Sequence, residues 1–136
     1  MSLMAVYVAG VLTLIAAIYH TRLYKRLNWA EEFEKIELSN RKILYTIHMA
    51  LTILFFLLGT FTLVYAKELS KSSGLALGFN VSLACFWIWR SVWGAIFLGD
   101  NKKQNETLFN RAKKWVSVFI AFSYLIPVVN SFLRHS

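Results

Sequence analysis

Apolar residues run almost unbroken through positions 3–19, 43–66, 74–99 and 115–133, and polar residues gather between these runs. About 20 apolar residues at 1.5 Å of helical rise cross the hydrocarbon layer of a bilayer. The runs are too continuous for barrel strands, which alternate at period two. They predict four transmembrane helices, each closing its own backbone hydrogen bonds as the bilayer interior requires. The expected fold is an all-α integral membrane protein, a four-helix bundle forming one domain over 1–136.

The first connecting segment carries a pattern of its own. Asn28 followed by Glu31 has the spacing of a capping box, and Trp29, Phe33 and Ile36 then recur at helical spacing while Glu31, Glu32, Glu34, Lys35 and Glu37 take other faces. This predicts a short amphipathic helix at the membrane interface. Ser39 or Asn40 is expected to cap the second span, with its first turn at Arg41. The third connection, 100–114, is polar and expected to be at most partly helical.

Charge adds an orientation. Arg22, Lys25, Arg26, Lys35, Arg41 and Lys42 lie in loop one, and Lys102, Lys103, Arg111, Lys113 and Lys114 in loop three. Loop two has only Lys67 and Lys71, and the tail only Arg134. Lys and Arg collect on the cytoplasmic side, so loops one and three are expected in the cytoplasm and both termini outside. The net charge of +8 is thereby absorbed as a topology signal with anionic lipids as neighbours. Nucleic acid is not an expected partner, because these loops are too short to build a reading element.

Composition agrees: 57% of residues are hydrophobic and 16% charged, too few polar groups to cover a soluble domain. No positive charge precedes the first run and no small-x-small site ends it, so it reads as a retained span rather than a signal peptide. The single cysteine, Cys85, lies mid-span. That excludes an intrachain disulfide, and packing is its default role.

The polar residues inside the spans are the candidates for chemistry. Arg90 stands between tryptophans in the third span, where a cation costs roughly 2.5–3.5 kcal/mol on insertion scales. No carboxylate lies in any span to neutralise it. A guanidinium keeps its charge and forks onto carboxylate or phosphate, so an anionic ligand, a helix-end carbonyl or a lipid phosphate is expected beside it. Counting rise per residue puts His20, His48, Arg90, Ser117 and Tyr124 in the same half of the membrane.

Helical spacing assigns inward faces of Ala9, Thr13, Ala16 and His20; of Tyr45, His48, Thr52, Phe55 and Gly59; of Phe86, Arg90, Trp93 and Phe97; and of Ser117, Ala121, Tyr124, Val128 and Ser131. Trp87, Trp89 and Trp93 spread around one helix, so some of that aromatic surface should face lipid or a second copy. The histidines also permit a haem reading, with His20 and His48 as axial ligands from facing helices. No His-Glu-x-x-His motif, phosphate-binding glycine loop, serine elbow or carboxylate pair occurs.

With its length, long first cytoplasmic loop, Glu32 eight residues before Asn40, third-helix Arg90, and Asn110-Arg111-Ala112 leading into the fourth span, the chain resembles the membrane-associated proteins in eicosanoid and glutathione metabolism (MAPEG). The resemblance covers about 28–128. It implies a trimer, glutathione bound between subunits, and a transferase or isomerase reaction. Glu32, Asn40, Arg90, Trp93 and Arg111 would fall at or near that site, with His20, His48 and Tyr124 as further candidates. Ile36, Ile43, Trp93 and Phe97 stand where the family pattern has polar residues. Three functions are open on sequence: a site for an anionic amphipathic ligand, with or without catalysis; a noncatalytic accessory subunit of a membrane complex; and a b-type haem protein.

Overall fold

The structure, a computed structural model, describes residues 1–97 and 108–135, and the side chains of 1–96 and 115–133. Among the described residues six helices follow one another: α1 Ser2–Arg26, α2 Trp29–Glu34, α3 Leu38–Val64, α4 Ala66–Lys71, α5 Gly74–Phe97 and α6 Leu108–His135. Four of them, α1, α3, α5 and α6, are long and apolar enough to cross a membrane. The all-α four-span bundle and the short amphipathic helix in loop one are both present.

The boundaries differ from the hydropathy limits at nearly every end. α1 continues seven residues past Tyr19, and α3 starts at Leu38 rather than Arg41. Glu37, not Ser39 or Asn40, occupies the N-cap position of α3 and makes no side-chain cap bond. Hydropathy locates only the part of a helix inside hydrocarbon, whereas backbone hydrogen bonding carries it on into the headgroup layer. α4 was not expected, since its sequence Ala-Lys-Glu-Leu-Ser-Lys reads as a polar connection. Ala66 and Leu69 nevertheless bury beneath Val6 and anchor α4 under α1. The expectation for loop three falls at 98–107 outside the described residues, and α6 begins at Leu108.

α1 is the central element, packed against α3 on one side and α6 on the other, with α5 against α6. Its inward positions Ala5, Ala9 and Ala17 are small, so neighbouring backbones come close. Gly10 and Gly59 extend this seam between α1 and α3, where a Cβ on Gly59 would stand 2.7 Å from Leu14 Cδ2. Between α3 and α5 the link is aromatic: Phe55 stacks on Trp87 at 5.6 Å, and Phe61 meets Phe79 at 5.0 Å.

Hydroxyl and amide groups fasten the bundle from its middle to the end where α1 begins. Tyr124 on α6 shares a 2.8 Å hydrogen bond with Thr62 on α3, and Thr13 of α1 stands beside the same hydroxyl. Asn130 donates to Ser2 Oγ at 2.8 Å, joining the last turns of α6 to the first of α1. Asn80 Nδ2 donates to the Leu69 carbonyl at 2.8 Å and to Ser72 Oγ at 3.3 Å. Those bonds hold Ser72 at φ +49°, a left-handed conformation that lets α4 turn into α5.

The inward face of α5 is only partly the expected one, and the side chain of Phe97 lies outside the described residues. Asn80, Leu83, Ala84 and Trp87 are buried, Phe86 and Arg90 are half-buried, and Trp93 is exposed. In a bilayer the lipid-facing side is as apolar as the core, so hydrophobicity alone leaves a helix's rotation unset. The assigned faces of the other spans hold for Ala9, Thr13, His48, Thr52, Phe55, Gly59, Ala121, Tyr124 and Val128, all of them buried.

Candidate functional site

Two histidines meet near the end of the bundle where α1 finishes and α3 begins. His20 lies on α1 and His48 on α3, and their imidazoles stack with centroids 4.5 Å apart and planes 27° from parallel. The close α1–α3 seam brings the two helices near enough for this contact. Phe55 sets its ring edge-on to His20 at 5.5 Å. On the other side, Trp29 of α2 meets His48 edge-on at 4.8 Å.

Helix α2 therefore roofs the pair. Trp29 and Phe33, one turn apart, stack at 4.9 Å, and Phe33 packs on Tyr45 at 5.0 Å. The Tyr45 hydroxyl stands 3.4 Å from that of Tyr24. Glu31, Glu32 and Glu34 take the exposed face of α2. The expected capping box takes a different form: Asn28, at φ +49°, bonds the Glu31 carboxylate side chain to side chain, and no side-chain bond reaches the backbone of the helix start. Arg41 ties down the far end of α2, its Nη2 donating to the carbonyls of Glu34 at 3.1 Å and Ile36 at 3.3 Å. Its role was not foreseen from sequence.

Arg90 approaches the histidine pair from α5. Its guanidinium lies along the helix toward the loop-three end, with Nη1 3.1 Å from where a Cβ on Gly94 would stand. The absent side chain at Gly94 gives the guanidinium this course. Arg90 is half-buried and near enough to act electrostatically on His20. Among the described residues the only ion pair is Lys35 with Glu32, so no described carboxylate neutralises Arg90.

The histidines present unused polarity. Nε2 of His20 and Nδ1 of His48 are buried and have no hydrogen-bond partner among the described residues. Either nitrogen donates or accepts according to tautomer. A buried polar atom left without a partner costs about 1–3 kcal/mol, so these two nitrogens beside a permanent cation form a site suited to an acidic group.

Of the sequence candidates, the fold stacks His20 on His48 and sets Arg90 within electrostatic reach of His20. Glu32 is exposed and paired with Lys35 at 2.9 Å. Asn40 is exposed on the first turn of α3. Trp93 lies on the outer face of α5, stacked on Trp89 at 5.8 Å. Tyr124 sits with Thr13 and Thr62, roughly 10 Å from His20 along α1 by helical rise. The Arg111 side chain lies outside the described residues. The sequence did not place Trp29 and Phe33 over the histidines, although their one-turn spacing marks one apolar face; Tyr45, on the expected inward face of α3, packs on Phe33.

The donor set can be tested against the cofactors that sequence allowed. Axial haem ligands hold their nitrogens in line on opposite faces of the macrocycle. Imidazoles stacked face to face at 4.5 Å do not fit that geometry. No group of three or more His, Cys, Asp or Glu side chains with metal-binding spacing occurs among the described residues. The chain matches no family model, no curated protein and no solved structure.

Proposed function

We propose that the protein binds an anionic amphiphile, its acidic head held by Arg90, His20 and His48 and its apolar part lying against the aromatic residues around them. The observation that carries this reading is the pair of buried, unpartnered imidazole nitrogens beside a guanidinium that no described carboxylate neutralises. A guanidinium grips carboxylate or phosphate through two parallel hydrogen bonds, and the imidazoles add donors at a fixed spacing. Trp29, Phe33 and Phe55 supply the apolar walls that small-molecule sites use around a few polar groups.

By the distribution of Lys and Arg, this end of the bundle faces the cytoplasm and both termini lie outside. Cysteine labels at Lys35 and at Lys71 are then expected to react from opposite sides of the membrane. Labelling of both from one side would overturn the orientation. A homo-oligomer, trimeric if the family resemblance holds, would cover the outward Trp89 and Trp93.

Native mass spectrometry from mild detergent tests the binding directly. Wild-type protein is expected to carry a copurified acidic amphiphile, with Arg90→Lys retaining less and Arg90→Leu least. The same spectra give the stoichiometry of the assembly. Equal occupancy in the three proteins, with helicity unchanged, would refute the reading.

A further inference from the structure

Among the described residues, three sides of the bundle are closed by helices packed along their length: α1 on α3, α1 on α6, and α5 on α6. The fourth side, between α3 and α5, is built differently. There the two backbones scarcely approach each other, and rings bridge the distance. Phe55 stacks on Trp87 at 5.6 Å and meets Phe86 at 6.1 Å, while Phe61 meets Phe79 at 5.0 Å. Such a side lacks the small-residue approach that locks α1 against α3 at Gly10 and Gly59. Rings turn about their side-chain torsions without moving a backbone, so this side can part locally while the other three hold.

Phe55 stands at the inner edge of that side. Its ring meets Phe86 and Trp87 on α5, and it also sets its edge to His20 at 5.5 Å. Phe86 is half-buried and Phe61 exposed, so the outer surface of this side reaches the hydrocarbon. Phe55 therefore stands between the bilayer and the histidine pair. From the water side the pair is covered by α2, with Trp29 on His48 and Phe33 on Tyr45. That cover is tied by hydrogen bonds as well as rings, because Arg41 holds the carbonyls of Glu34 and Ile36.

We infer that the α3–α5 side is a lateral portal, gated by Phe55, through which an acidic amphiphile dissolved in the bilayer reaches His20, His48 and Arg90. The inference rests on the binding site proposed above and adds its entrance and the class of ligand that can use it. Arg90 follows Trp87 by one turn of α5, on the water side of the gate. It meets the acidic head as the head leaves the headgroup layer, while the apolar chain parts the rings below. Acids with a long chain concentrate in the membrane and take this route. Water-soluble acids would have to displace α2.

The test closes each route in turn, in full-length Cys85→Ser protein in phosphatidylcholine nanodiscs with dodecyl phosphate as the probe. F61C/F79C is bridged by a cleavable bifunctional thiol reagent across the α3–α5 side, and F33C/Y45C is bridged between α2 and α3. Each bridged protein is compared with the same variant unbridged. Association and dissociation rates are read from exchange broadening of the side-chain ¹⁵N resonances of His20 and His48. Bridging F61C/F79C is expected to slow both rates by the same factor, leave the affinity unchanged, and reverse on cleavage. Bridging F33C/Y45C should leave both rates as they were. Phe55→Ala, which removes the gate's contacts with α5, should raise the association rate on the order of tenfold, whereas loss of an apolar wall alone would raise only the dissociation rate. Slowing by the F33C/Y45C bridge alone would put the entrance beneath α2 and overturn the portal. Unchanged rates with both bridges, equal slowing by both, or an association rate in Phe55→Ala no faster than wild type would also overturn it. If His20 and His48 of the wild type do not respond to dodecyl phosphate at all, the binding site itself fails, and the portal with it.

Discussion

Replacing Gly59 by alanine should weaken the bundle, while the same change at Gly78 should not. A Cβ on Gly59 would lie 2.7 Å from Leu14 Cδ2, 2.8 Å from Leu14 Cγ and 3.1 Å from the Leu14 backbone nitrogen. Carbon atoms settle at about 3.5–4.0 Å, and rotating the leucine tip relieves only the first of these contacts. The backbone contact remains, so α1 and α3 must separate by several tenths of an ångström, an overpacking that costs about 1–3 kcal/mol. A Cβ on Gly78 meets nothing within 4 Å. Alanine in place of glycine returns about 1 kcal/mol of helix propensity at either position, so the difference between the two variants isolates the steric cost.

Unfolding each protein in a mild-detergent and SDS titration, followed by fluorescence of the five tryptophans, measures that difference. Gly59→Ala should fall about 1–3 kcal/mol below Gly78→Ala. Equal stability would mean that the α1–α3 seam is looser than described, and the contact between His20 and His48 would lose its structural support.

Other positions give independent checks. Tyr124→Phe removes the hydroxyl shared with Thr62 while leaving Thr62 its bond to the Leu58 carbonyl; interhelical bonds in membranes average about 0.6 kcal/mol, so a loss near 1 kcal/mol is expected in the same titration, and a loss above 3 would show a larger role. Arg41→Gln removes both tethers to Glu34 and Ile36. Amide hydrogen exchange should then quicken across 29–36 and stay unchanged across 43–64; protection equal to wild type would place the hold on α2 elsewhere. Asn80→Ala strips the bonds to Leu69 and Ser72 while the Leu69 carbonyl keeps the Ser72 backbone N–H, so the expected loss is that of a net hydrogen bond, about 0.5–1.5 kcal/mol, checked by the same unfolding series.

The four spans were legible because length and continuous apolarity decide them. Depth was legible too for the histidines: rise per residue placed His20 and His48 at one level, and their rings stack, with Arg90 within electrostatic reach of His20. Rotation was less so. On α5 the sequence pointed to Phe86, Arg90, Trp93 and Phe97, yet Asn80, Leu83, Ala84 and Trp87 turn inward, because lipid accepts Trp93 as readily as a core would. Nor did the pattern of Trp29 and Phe33 say what they would cover. Their spacing fixes an apolar stripe, but its target, His48 and Tyr45, depends on the turn at Asn28 and the tether at Arg41.

If His20, His48 and Arg90 together receive an acidic head group, the chain's histidines report on it directly. The protein contains three, of which His135 closes α6 at the opposite end of the bundle and serves as an internal reference. In histidine-selective ¹⁵N NMR in phosphatidylcholine nanodiscs, titration with dodecyl phosphate at constant pH should shift the side-chain resonances of His20 and His48 to saturation, leave that of His135 in place, and lose its effect in Arg90→Leu. If neither His20 nor His48 moves, or if both move identically without Arg90, the claim is contradicted.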